Sequence, residues 1–239
     1  MKIILVLLLT GLTGFLQIVL AQNQITQSQL SLTRLQTRTS MGLYNSIDQV
    51  SPDAHIVGTP YVDERWQNAS IFLQEGGAPF TNIPIRYDIY SDMLEIKVGE
   101  QVKGLEGGKV KCFSLTWDGR ERTFVRASGF KTAAPLSGFM EVLDSGKIQL
   151  LKHYRVTVAK PDYSPQMNVG SRDYRVLHEH TLYYVMAGVA TEVPKQKKKF
   201  LSVFGDHQPE VSAFIRQEHI DLKDETGVQK VFRFCNTLH

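Results

Sequence analysis

The sequence lacks most of the features that point to a particular chemistry. It has two cysteines in 239 residues, a formal net charge of only +3, and no long apolar run after residue 21. A net charge so close to zero gives no reason to expect a nucleic acid as a partner. A helix needs about 20 apolar residues to cross a bilayer, so the chain beyond residue 21 is predicted to contain no membrane span.

Catalytic motifs are also absent. The chain lacks the G-x-S-x-G turn that presents a nucleophilic serine in many hydrolases. The glycine pair Gly107-Gly108 is flanked by strand-like segments, whereas a phosphate-binding loop leads into a helix. We therefore predict no catalytic residue and no cofactor, and the sequence favours a role other than that of an enzyme.

The first 21 residues have the layout of a secretory signal peptide. Lys2 provides the positive end, Ile3 to Leu9 is apolar, and Val19-Leu20-Ala21 ends in a small residue ahead of the polar Gln22. An uncleaved membrane anchor over residues 3–20 is the alternative, although threonine and glycine dilute that segment. No cysteine lies near residue 22, which argues against a lipoprotein. The sequence thus predicts an exported protein, either periplasmic or extracellular.

Cys112 and Cys235 leave two alternatives open. In an oxidising compartment they could form a disulfide that closes a long loop, worth about 4–5 kcal/mol in the loop-entropy model. Each cysteine also sits in an apolar pattern, as small buried thiols do. The sequence favours two buried thiols and keeps the disulfide as the alternative.

We divide the chain into three parts. Residues 1–21 form the signal peptide, residues 22–52 form a flexible N-terminal arm rich in Gln, Ser and Thr, and residues 53–239 form a single β-rich domain. From about Ile56 onward apolar and polar residues alternate, which is typical of strands. Tight turns are predicted at Gly76-Gly77, Ser91-Asp92, Asp118-Gly119 and Asp144-Ser145-Gly146.

The apolar spacing becomes helical near Lys195. Residues 195–204 predict a short basic helix that ends at Gly205, and Asp206 and Asp224 are predicted to cap two further helices. Hairpins followed by helices predict an α+β, mainly β, fold. We expect an antiparallel β-meander that forms a curved sheet or partly closed barrel, with two or three C-terminal helices over about residues 195–239.

Three segments resemble a family of uncharacterised secreted or periplasmic proteins of Gram-negative bacteria. They are PIRYDIYSDMLEIK, GFMEVLDSGKIQLLKHY, and the apolar pattern from Phe200 to Leu238. The resemblance extends over most of the chain from about Tyr61. It implies export and a β-rich fold with terminal helices, and it implies no activity, cofactor or site residue.

One group of residues resembles a metal site. His178 and His180 share one face of a predicted strand, and His153 on an earlier strand is a candidate third ligand for zinc. Val176, Leu182 and other apolar residues alternate onto the same face, so two ordinary histidines on a half-buried strand are the favoured interpretation.

The basic run of Lys195, Lys197, Lys198 and Lys199 has two interpretations. The four lysines could contact an anionic membrane surface, with about 1 kcal/mol for each charge near the headgroups. The favoured interpretation is a solvated helix face.

Three functions follow from these features. The first is a non-catalytic binding or structural module of the cell envelope, whose partner is a protein or another envelope component. The second is a carrier, whose curved sheet and helices enclose a lipid or another apolar ligand. The third is a metal-dependent hydrolase built on His178 and His180. The missing catalytic motifs favour the first, and an interior filled with side chains would favour it over the second.

Overall fold

A computed structural model describes residues 55–117 and 119–238. The predicted signal peptide (1–21) and N-terminal arm (22–52) lie outside these residues. The described chain is mainly β with three helices near its C-terminus, which confirms the predicted fold class. The strands are β1 (Ile56–Val57), β2 (Gln67–Leu73), β3 (Phe80–Asp88), β4 (Met93–Val98), β5 (Gln101–Glu106), β6 (Val110–Trp117), β7 (Arg120–Arg126), β8 (Phe139–Ser145), β9 (Gln149–Ala159), β10 (Tyr174–Met186) and β11 (Val189–Glu192). The helices are α1 (Lys197–Ser202), α2 (Gln208–Gln217) and α3 (Glu225–Thr237).

The predicted hairpins form, although the turn between β8 and β9 lies at residues 146–148, after the predicted Asp144 and Ser145, which belong to β8. Gly76 and Gly77 connect β2 to β3 with φ angles of 82° and 97°, values that side-chain-bearing residues rarely adopt. Between β6 and β7 the chain reverses tightly, with Trp117 opposite Arg120 and Gly119 at φ 73°. These turns pair neighbouring strands in antiparallel fashion and so determine most of the sheet.

The sheet is mixed and is more complex than a simple meander. Its strand order is β1-β10-β9-β8-β7-β6-β2-β3-β4-β5, with β11 also paired to β10. Two antiparallel runs, β2–β5 and β6–β10, are joined because β2 pairs with β6. The two-residue strand β1 pairs in parallel with the start of β10. The described strands leave the sheet open, with β5 at one end and β10, flanked by β1 and β11, at the other.

Strong curvature folds β3 and β4 over β7 and β8 and encloses an aromatic core. The ring of Phe113 stacks on that of Phe124 with a centroid distance of 4.8 Å, and the Tyr87 ring lies edge-on to Phe139 at 5.3 Å. Phe113 and Phe124 are completely buried. Arg126 holds the two halves together at the rim, where its Nη1 lies 2.7 Å from Asp92 Oδ2. The interior of this half is therefore filled with side chains.

The helices form a second core at the other end of the same sheet face. Phe232 of α3 lies edge-on to Phe204 at 5.2 Å, and both pack with Leu150 of β9. Asn236 attaches α3 to the β8–β9 turn, since its Oδ1 accepts the Ile148 N–H at 3.0 Å and its Nδ2 donates to Asp144 at 2.7 Å. A third cluster, around Met140, covers the opposite face.

In the structure Cys112 and Cys235 are two separate thiols. Cys112 on β6 lies opposite Val125, on the sheet face that points away from the aromatic core. Cys235 lies in the helical core on the other face. Because the sheet separates the two residues, no bond forms between them. Burial raises the pKa of both thiols, which keeps them protonated and unreactive.

One helix cap also differs from its prediction. Asp206 lies in a short 3₁₀ turn, and α2 begins after His207 with no side-chain cap. Pro209 in its first turn needs no such partner because proline has no N–H. Asp224 does occupy the N-cap position of α3, where its carboxylate accepts the hydroxyl of Thr226.

Candidate functional site

The three candidate histidine ligands are not brought together. His153 of β9 lies opposite Thr181 of β10, so it projects from the face opposite to His178 and His180. Its Nε2 lies 2.8 Å from the carbonyl oxygen of Ser137. Across residues 55–117 and 119–238, no group of three or more His, Cys, Asp or Glu side chains is placed to hold a metal ion.

His178 and His180 share a strand face but contact different partners. The His178 ring hydrogen-bonds to the carbonyl oxygen of Thr59, in the segment that follows β1. The Nε2 of His180 lies 3.5 Å from Glu225 Oε2, at the start of α3. The first histidine therefore anchors a loop, while the second belongs to a group of charged residues between the two cores.

A layer of charged side chains separates the aromatic core from the helical core. Arg122 of β7 forms a two-pronged ion pair with Glu141 of β8, with N–O distances of 2.7 and 2.9 Å. The hydroxyl of Tyr154 on β9 donates to the same carboxylate. Glu141 is only 7% exposed. A carboxylate this deeply buried remains charged only because its partners replace its water.

The layer continues toward the helices through Lys152 and Glu225. The Nζ of Lys152 lies 2.8 Å from Glu225 Oε2 and 5.0 Å from the centre of the Tyr154 ring. Glu225 is in the first turn of α3, where the helix dipole favours a negative charge. Lys152 thus ties the N-terminus of α3 to the middle of the sheet.

A signal for this layer is present in the sequence but was missed. Glu141 occupies the same alternating phase as the buried Phe139, and Arg122 the same phase as Phe124. Charged residues in the apolar phase of two strands that become neighbours are expected to form a buried ion pair. The local pattern shows which side chains of each strand share a face, whereas only the pairing of β7 with β8 shows that Arg122 and Glu141 lie close together.

Protonation of Glu141 is opposed by its partners. Burial acts to raise the pKa of this carboxyl group, but hydrogen bonds from Arg122 and Tyr154 outweigh it and hold the pKa below the ordinary value of 4.5. Burial and the neighbouring Glu141 charge raise the pKa of the Tyr154 phenol, so it remains a neutral donor. Arg122 and Glu141 are therefore a matched pair of charges at neutral pH, and Tyr154 is their neutral partner.

Acid is expected to weaken the fold through Glu141. Its pKa is lower in the folded than in the unfolded chain, so its stabilisation is complete above the unfolded value of 4.5 and is lost as pH falls through the lower folded value. Glu141→Gln should be less stable than the natural protein at pH 7 and should lose less further stability between about pH 5 and pH 3. Urea denaturation at several pH values measures this.

Glu179→Gln is the matched control, because Glu179 pairs with Arg155 on an exposed surface. Its stability should follow that of the natural protein at every pH, since solvent screens exposed pairs. If the free energy of unfolding fell by the same amount with pH in the natural protein and in Glu141→Gln, the role assigned to Glu141 would be contradicted.

A second charged cluster lies on the outer face of β3 and β4. Arg86 is held between the rings of Tyr61 and Trp66, with its guanidinium carbon 4.2 and 4.4 Å from the two ring centres. Its Nε lies 3.1 Å from Glu95, which also accepts the Tyr61 hydroxyl at 2.8 Å. The aromatic faces are thus covered by Arg86, and the cluster fixes the segment before β2 onto the sheet.

A surface groove lies between the β10–β11 edge and the corner that joins α2 to α3. Its volume is about 710 Å³. Apolar side chains form its floor, namely Leu182, Val193, Ile215, Ile220 and Val228, and Lys195, Lys197 and Lys223 lie along its rim. Two of the four lysines in the predicted basic run therefore meet Lys223, which is distant in sequence. Lys198 and Lys199 are exposed on α1 beside the groove.

Comparison with known proteins gives no relative to guide the interpretation of this groove. No protein-family model matches the chain, and neither a curated protein nor a solved structure matches it. The resemblance to secreted proteins of Gram-negative bacteria therefore stays a prediction. In the described part of the chain, no helix combines the length and the apolar character needed to cross a membrane.

Proposed function

We propose that the protein is an exported, non-catalytic binding module of the cell envelope, and that it binds its partner at the groove beside β10. Export rests on the signal-peptide pattern of residues 1–21. Binding rests on a groove of about 710 Å³ with an apolar floor and a charged rim, a combination that is typical of recognition sites.

The observation that carries this proposal is the filled interior. A carrier of acyl chains needs an apolar hollow, but the curved half of the sheet is packed with the rings of Tyr87, Phe113, Phe124 and Phe139. The charged layer below it is neutralised by its own ion pairs. The binding capacity is therefore assigned to the surface, where the groove offers both apolar area and charge.

The proposal predicts that a partner from the envelope contacts Lys223. A photo-crosslinking amino acid at position 223 should yield one reproducible adduct with an envelope protein in cells that express the chain. The same probe at Glu121, exposed on β7 and three strands away from β10, should yield none. Equal adducts from both positions, or a copurified lipid detected by native mass spectrometry, would contradict the proposal. A mass of the intact protein that matches a chain beginning at Gln22 would support export.

A further inference from the structure

The outer edge of β10 is paired at both ends and unpaired in the middle. β1 pairs with Tyr174 and Arg175, and β11 pairs with Tyr183 to Met186. Among the described strands, none pairs with residues 177–181 along that edge. At about 3.4 Å per residue, this gap is roughly 17 Å long and has room for an added strand of about five residues.

The backbone groups in the gap point outward. The backbone carbonyl oxygen of Leu182 accepts the Val193 N–H at 2.8 Å, and the backbone N–H of Tyr174 donates to the carbonyl oxygen of His55 at 3.0 Å. Even-numbered residues of β10 therefore point their backbone N–H and C=O groups away from β9. Pairing with β9 is uninterrupted from Arg175 to Val185, so the same holds for residues 178 and 180. Their backbone groups form no backbone hydrogen bond with any described residue, and such an edge is a template for another strand.

The sequence keeps this gap open from both sides. Gly58, with φ 99°, ends the pairing of β1 with β10, and the next residue, Thr59, contacts β10 through the ring of His178. A side chain at position 58 would meet the Val176 carbonyl oxygen at 2.9 Å, so this position requires glycine. At the other side β11 ends at Glu192, two residues before Pro194.

The gap opens directly into the groove, because His180 and Thr181 belong to both. Lys195 and Lys223 on the groove rim have no carboxylate within ion-pair distance among the described residues. The carboxylates of the groove are better satisfied: Glu225 pairs with Lys152 and His180, and Asp221 accepts the Lys223 backbone N–H at 2.9 Å. Glu192 and Asp221 keep their charges, so the three lysines exceed the uncompensated carboxylates of the groove by one.

We propose that an extended acidic peptide binds as an additional strand in the β10 gap and places its carboxylates against Lys195, Lys197 and Lys223. This inference rests on the proposed function and names the partner class for the same site. Backbone hydrogen bonds to His178 and His180 would give affinity, and the apolar floor of the groove would receive alternate side chains of the peptide. The lysines would select peptides with acidic side chains. A lipid headgroup would use the lysines but would leave the backbone groups of β10 unpaired.

The test uses two pools of labelled eight-residue peptides and the purified protein at physiological salt. The first pool has Val, Ile or Thr at alternate positions and Asp or Glu at its last two residues, and the second replaces those acids with lysine. Affinity selection should enrich the acidic pool alone. Equal retention of the two pools, or of neither, would overturn the inference.

His180→Pro examines the backbone contact for the selected peptides. Proline removes the outward N–H of residue 180 without breaking a bond to β9, and should weaken binding about tenfold in an anisotropy titration. His180→Ala keeps the N–H and should remain within about threefold of the natural protein. Thermal unfolding establishes that both variants fold, and a peptide N-methylated at a central residue tests the same bond without altering the protein. Unchanged binding of the N-methylated peptide would overturn strand addition.

Lys195→Glu combined with Lys223→Glu examines the charge, and should weaken binding of acidic peptides at least about tenfold. Lys198→Glu combined with Lys199→Glu changes the net charge equally outside the groove lining and should have little effect. Equal losses would show a diffuse attraction and overturn the assigned contact. Failure of every peptide together with a specific adduct at position 223 would leave the proposed function standing and remove the strand-addition inference alone.

Discussion

Replacing Phe113 with alanine is expected to destabilise the protein by about 3–5 kcal/mol. Phe113 is completely buried, and its ring lies 4.8 Å from Phe124, 5.0 Å from Phe139 and 5.6 Å from Tyr87. Removing the ring loses its transfer free energy and leaves a cavity between two layers of strands that cannot close fully. A loss of this size is a large part of the stability of an ordinary domain.

Phe72→Ala is the matched control because it removes the same ring from the opposite face of the neighbouring strand. Phe72 is 39% exposed, so its replacement should cost well under the Phe113 value, about 1 kcal/mol or less. Urea denaturation followed by far-ultraviolet circular dichroism gives both free energies of unfolding. Similar losses for the two variants would contradict a packed interior and would restore the carrier hypothesis.

The hairpins of this fold could be predicted because their determinants are local. Gly76, Gly77 and Gly119 supply the conformations that tight turns need, and alternating residues such as Ile85 and Tyr87 define the buried face. The same holds for the last helix, in which Val228, Val231, Phe232 and Cys235 are buried as their spacing indicates. Each of these features is decided within about ten residues of chain.

The pairings between distant segments could not be predicted in the same way. β1 has two residues, too few for any periodicity, and it exists because β10 offers a partner edge. The pairing of β2 with β6 joins segments that lie far apart in the chain, so no local pattern indicates it. His153 was placed with His178 and His180 because the strand register was unknown, and a shift of one residue reverses the face.

The candidate site was predicted only in part for the same reason. Lys195 and Lys197 were recognised as a basic run, but the groove exists only because the α2–α3 corner brings Lys223 to them. The unpaired edge of β10 is invisible in sequence, since strand signals do not show which edges find partners. The need for glycine at position 58 becomes clear only beside β10, where a side chain would meet the Val176 carbonyl oxygen.

Arg122→Met is expected to destabilise the protein by about 3 kcal/mol, the second large effect. The substitution keeps much of the side-chain volume but leaves Glu141 charged, 7% exposed and dependent on Tyr154 alone. A buried charge without its partner is costly because the interior cannot replace its water. Arg155→Met removes a guanidinium from an exposed ion pair with Glu179 and should produce no measurable change.

Removing both charges together with the Tyr154 hydroxyl distinguishes the cost of one buried charge without a partner from the net contribution of the whole ion pair to stability. The triple variant Arg122→Met, Glu141→Leu, Tyr154→Phe leaves neither a charge nor a donor unpaired between the two cores. It should recover most of the stability lost by Arg122→Met, because apolar replacement of a complete buried pair is often neutral or stabilising. Further loss in the triple variant would mean that the ion pair itself stabilises the fold. Recovery would mean that the layer serves to fix the register of β7, β8 and β9, and so the position of the β10 edge beside them.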